Sequence, residues 1–174
     1  MKKKKKKRHK VFYWTYFTLF FAGLLAITGG MLLFENTILI WKVPVIIFLL
    51  TGFLMTPVTS FSFEKYCKIE SIFWKIFFNI VSFGGLLVGL LIAINYYFPD
   101  NVQQSHKTEI LETGYLKSRG RRNVPYAEVK INGTIKRLVF PKNVELAPYK
   151  FVVVDTKKGL LGFPIITHKM PVTE

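Results

Sequence analysis

Three long stretches of the first hundred residues carry no formal charge. They are residues 11–34, 43–63 and 76–99, of 24, 21 and 24 positions. A helix needs about 20 mostly apolar residues to cross a ~30 Å hydrocarbon core. A soluble helix of that length would show a charged face, and none is present. The pattern predicts three transmembrane helices at about 12–34, 40–58 and 75–98, within a membrane domain of residues 11–99. From His106 onward the pattern shortens to strand-like alternation, which predicts a small all-β domain over residues 104–174.

The edges of the stretches fit a bilayer. Phe12, Tyr13, Trp14 and Tyr16 open the first, Trp41 the second and Trp74 the third, and Tyr96 and Tyr97 close the last. Amphipathic rings prefer the headgroup level. The second stretch is the shortest, and Pro44 leaves open a re-entrant path. The first is longer than the apolar part of a cleaved signal peptide, so it reads as a retained span.

In the tail, Asn132-Gly133 stands between two alternating runs, 126–131 and 134–140. That pair is a strong hairpin signal, because both turn positions need positive φ. A two-residue turn sets Ile131 against Thr134, Val129 against Lys136 and Glu128 against Arg137. Ala127, Val129, Ile131, Leu138 and Phe140 then share the core face. Glu128 and Arg137 make an exposed ion pair worth less than about 1 kcal/mol. Further strands are expected over 107–118, 149–155 and 160–166. Five short strands in about 70 residues predict an SH3-like or OB-like barrel.

Charge sets the orientation. The chain is strongly basic, net +15, and both halves share the excess. Lys2, Lys3, Lys4, Lys5, Lys6, Lys7, Arg8 and Lys10 form a dense run beside the first span. Such a run stays cytoplasmic and is drawn to anionic lipid by about 1 kcal/mol per charge. Residues 1–10 are therefore read as a cytoplasmic, membrane-surface anchor, and three crossings place the β domain outside. Two crossings would leave that basic tail in the cytosol.

Small residues recur four apart on two spans: Ala22, Ala26 and Gly30 on the first, Gly85, Gly89 and Ala93 on the third. Such a face lets helix backbones approach closely. It forms a packing seam within one molecule, or between copies, unless the spacing is chance.

Candidate chemistry is sparse. His9, His106 and His168 are isolated, so no metal-ligand pattern appears. Cys67 has no paired base and reads as an ordinary thiol or an acylation site. No phosphate loop, nucleophile elbow or zinc-protease helix occurs. No enzymatic activity and no cofactor are expected. Arg119, Arg121 and Arg122 around Gly120 are the best-marked surface group. Arginine forks suit phosphate or carboxylate, which fits a protein partner or anionic headgroups, against the plainer reading of a solvated hairpin tip. Three arginines on one loop do not make a nucleic-acid groove.

Glu112-Thr113-Gly114-Tyr115, the arginine loop, Tyr126-Ala127-Glu128-Val129 and the run from Lys158 to Ile166 carry a resemblance. The tail is similar to the β-rich ends of a family of small bacterial multi-pass membrane proteins. The arrangement also resembles NfeD-like proteins, whose spans precede an OB-like barrel, although this chain departs from their glycine pattern. Neither resemblance implies an activity or a functional residue. The expectation is a multi-pass protein of the bacterial cytoplasmic membrane, bound to the bilayer by its spans. It would display a β-barrel interaction domain to a protein or envelope partner. The alternative is an accessory subunit of a channel, transporter or secretion complex, assembled through its spans.

Overall fold

A computed structural model of the chain describes residues 2–118 and 121–173, with side chains for 10–116 and 124–173. The chain forms two compact units. One comprises Met1–Phe34 and Ile40–Ile94, the other Glu35–Leu39 and Asn95–Glu174.

The first unit is helical. Helix α1 runs Lys2–Phe34 and α2 runs Lys42–Ser62, continued by a π turn over Phe63–Cys67. Helix α3, Ile72–Asn79, passes through a second π turn, Ile80–Gly84, into α4, Gly85–Tyr97. The result is three helices long and apolar enough to cross a membrane, Lys10–Phe34, Lys42–Cys67 and Ile72–Tyr97. The second extends well past the expected end at residue 58. Pro57 does not stop it; helices in membranes tolerate a proline where neighbouring groups re-satisfy the freed backbone carbonyl.

Glycines let these helices touch. A Cβ on Gly23 would lie 2.7 Å from the Ser82 carbonyl oxygen, and one on Gly52 would lie 2.6 Å from Ile80 Cα. Rings fill one end of the unit: Phe12 stacks on Tyr66 at 4.2 Å, and Tyr16 meets Phe63 at 4.5 Å. Tyr13 and Trp14 turn outward.

The second unit is a five-stranded antiparallel sheet in the order β3-β2-β1-β4-β5. Its strands are β1 Pro99–Ser118, β2 Arg121–Ile131, β3 Thr134–Val139, β4 Phe151–Gly159 and β5 Pro164–Val172. The β2–β3 register is Glu128 opposite Arg137, Val129 opposite Lys136 and Ile131 opposite Thr134, as the turn geometry requires. Asn132 and Gly133 take φ of 49° and 78°. Ala127, Val129, Ile131, Leu138 and Phe140 are buried, and they join Leu146, Val152, Val154, Ile166 and Ile38 in one core.

Three expectations need correction. The sheet is open, not an SH3-like or OB-like barrel, since β3 and β5 remain its edges. The first strand starts at Pro99 rather than residue 107. Its early residues pair with β4, from Ser105 opposite Asp155 to Pro99 opposite Gly159. The last two strands are each displaced toward the C-terminus.

The gap between the edge strands is occupied by the α1–α2 connector, Glu35–Leu39. Thr37 bridges to Ile165. The Ile38 N–H donates to the Pro164 carbonyl (2.8 Å), and the Ile166 N–H donates to the Asn36 carbonyl (2.7 Å). Lys136, on β3, donates from Nζ to the Thr37 carbonyl at 2.9 Å. Lys136 lies opposite core residue Val129, and Lys169 opposite core residue Val154. Two edge strands with inward-facing lysines do not zip together, a familiar way to keep sheet edges apart.

Candidate functional site

The sheet pairing leaves one segment without neighbours. Strand β4 pairs with β1 as far as Glu109. Strand β3 pairs with β2 only from Tyr126 onward. Beyond these points β1 and β2 pair solely with each other, from Tyr115 opposite Pro125 to Ser118 opposite Arg121. This is a short two-stranded ribbon with no further strand on either edge among the described residues. The Phe140 N–H, donating to the Pro125 carbonyl (2.9 Å), ties its base. A shift between Ile110 and Glu112 marks where the ribbon departs from the sheet; a bulge of this kind bends a strand and increases its twist. Tyr115 is 60% exposed although it follows the inward-facing alternation of β1.

Two members of the arginine group, Arg121 and Arg122, stand at the far end of this ribbon by their backbone. Arg119 lies outside the described residues, as do the side chains of Arg121 and Arg122, whose backbone opens β2. In the N-terminal run, Lys2, Lys3, Lys4, Lys5, Lys6, Lys7 and Arg8 form the first turns of α1. Lys10 is exposed.

A second charged group lines the edge gap. Lys136 and Lys169 are half-buried around Glu35. Burial holds both ammonium groups below the usual lysine value of 10.5. Glu35 opposes the shift on each, and Lys169 adds to that on Lys136. On the outer face of β2 and β3, Glu128 and Arg137 pair at 2.6 Å.

The small-residue positions meet inside the helical unit. A Cβ on Gly85 would stand 2.7 Å from the Gly23 carbonyl oxygen. One on Gly89 would stand 2.7 Å from the Ala26 carbonyl carbon and 2.8 Å from its Cβ, and one on Gly30 would stand 3.3 Å from Gly89 Cα. Ala22 and Ala93 are half-buried.

Sequence reasoning missed a polar stripe between α2 and α3. Lys75, just before the third uncharged stretch, is buried and paired with Glu64. Its Nζ also donates to Ser60 Oγ (3.1 Å). Further along, the fully buried Asn79 donates from Nδ2 to Thr59 Oγ1 (2.8 Å) and Thr56 Oγ1 (3.2 Å). These polar groups are three or four residues apart on each helix, a spacing visible in the chain. Hydrogen bonds between helices in apolar surroundings hold register, typically for about 1 kcal/mol each. Comparison with protein families, curated proteins and solved structures found no match.

Proposed function

We propose that the chain is a non-enzymatic integral protein of a bacterial cytoplasmic membrane, whose β1–β2 ribbon docks a protein or envelope partner at the outer surface. The observation that carries this reading is the ribbon: a strand pair that outruns its neighbours on both sides, with no further strand on its edges among the described residues and an exposed Tyr115. Isolated two-stranded ribbons are marginal in water. Adding a strand to such an edge is a common mode of recognition, with main-chain hydrogen bonds supplying affinity. Arg119, Arg121 and Arg122, clustered around Gly120 in the sequence, favour a partner bearing carboxylates or phosphates.

The helices support the membrane part by length and composition. Gly85 and Gly89 lie against α1 of the same molecule, so this seam is not free to recruit a second protein. The accessory-subunit alternative would need another helix face.

The test is photo-crosslinking in native membranes. A photoreactive residue at Tyr115 should give a discrete protein or envelope adduct, and one at the outward-facing Leu54 should give lipid only. Adducts from Leu54 without any from Tyr115 would move the interaction to the spans.

A further inference from the structure

The turn between β4 and β5 has the wrong composition for a water-exposed hairpin. Gly159-Leu160-Leu161-Gly162-Phe163 closes through the Gly159 N–H to the Phe163 carbonyl (3.0 Å) and the Gly162 N–H to the Gly159 carbonyl (2.8 Å). Gly162 takes φ of 88°. Turn tips normally carry Asn, Asp, Ser, Gly or Pro. Here the tip is two leucines, 64% and 42% exposed.

The tip is held at a defined level. Asn95, 1% exposed, spends its whole side-chain amide on this turn. Its Nδ2 donates to the Phe163 carbonyl (3.1 Å), and its Oδ1 accepts from the Leu161 N–H (3.1 Å). Gly159 permits the approach, because a Cβ there would stand 2.5 Å from Asn95 Cγ. Gly159 also lies opposite Pro99 in the ladder. Asn95 precedes Tyr97, the last residue of α4, by two positions, or about 3 Å along the axis. Tyr97 and Phe98 are exposed beside it. Tyrosines at a span end mark the headgroup layer, so the turn sits at that depth. Lys157 and Lys158 precede the tip, and long lysine side chains can keep an ammonium at the headgroup level beside apolar neighbours.

We infer that Leu160 and Leu161 are seated in the interfacial layer of the bilayer that the helices cross, so that the β4–β5 turn is a second membrane contact of the sheet unit. This rests on the membrane reading above, and it names lipid, not protein, as the occupant of this apolar tip.

The experiment uses the full chain with Cys67→Ser, in nanodiscs of phosphatidylethanolamine and phosphatidylglycerol. Nitroxides are placed singly at Leu160→Cys, Leu161→Cys, Leu25→Cys and Tyr115→Cys, all exposed positions that tolerate a label. Relaxation by oxygen is compared with relaxation by a water-soluble nickel chelate. The oxygen-to-nickel ratio at 160 and 161 should be several-fold above that at 115, approaching that at 25. A ratio at both tip positions equal to that at 115, with 25 in lipid, overturns the inference and leaves the membrane reading standing. Protection from both reagents assigns the tip to a protein contact and overturns it equally. An aqueous signal at 25 removes the membrane reading and this inference together.

Discussion

Gly29 and Gly89 are both glycines inside apolar helices, yet they do opposite work. Nothing lies within 4 Å of a Cβ built on Gly29, whereas one on Gly89 meets Ala26 backbone and side chain. Backbone of a packed helix yields little, and overpacking of this kind costs about 1–3 kcal/mol. Gly89→Ala should therefore lower the thermal unfolding midpoint in detergent micelles. Gly29→Ala should hold or raise it, since alanine is better than glycine in a helix interior by roughly 0.5–1 kcal/mol. Equal behaviour of the two variants would remove the seam. The spacing of small residues made this face legible. It did not make Gly23 legible, because its contact is with the carbonyls of Val81 and Ser82, inside a π turn. A π turn shifts the phase of everything after it, and no residue pattern in 80–84 announces it.

Alternation made β2 and β3 readable down to individual pairs, because one face of each is buried and a one-residue slip would expose the core set. It failed for the start of β1, where Asn101, Gln103, Gln104 and Ser105 carry no apolar face. That segment is a strand through backbone pairing with β4 alone. It also failed for the closure of the sheet, although Lys136 falls on the same alternation as Leu138 and Phe140 and was the visible warning. The edge lysines make a pH prediction. Burial lowers the native-state affinity of Lys136 and Lys169 for protons relative to the unfolded chain. In the alkaline window between the depressed native values and 10.5, the unfolded state holds more protons, so stability rises with pH. Below that window both states are charged and the desolvation cost is felt in full; above 10.5 the gain levels off. Unfolding midpoints measured from pH 8.5 to 10.5 should therefore rise relative to those of a Lys136→Met, Lys169→Met variant. Parallel curves would show that the two ammonium groups are solvated.

At the scale of the whole chain, the connector constrains the membrane path. Glu35–Leu39 is built into the sheet unit by the Thr37 bridge and the hydrogen bonds of Ile38 and Ile166. A connector and a sheet that fold together occupy one side of a bilayer, so on the proposed membrane reading the chain between residues 39 and 99 is expected to cross an even number of times. Two full crossings, by α2 and by the α3–α4 helix, meet that condition. A re-entrant α2 does not, because the single remaining crossing would separate the connector from the sheet. The basic tail alone leans toward a cytosolic sheet, but long segments translocate largely regardless of charge, and on the proposed topology the lysines beside the first span are expected to hold the N-terminus inside. Single cysteines in a Cys67→Ser background decide the matter in intact cells. An impermeant maleimide should reach Glu35→Cys and Asn143→Cys from outside, and Glu70→Cys only after the membrane is opened. Labelling of 35 and 143 from opposite sides would break the sheet unit as described. Labelling of both only after opening would keep the fold and invert its orientation, placing the ribbon and its arginines in the cytosol.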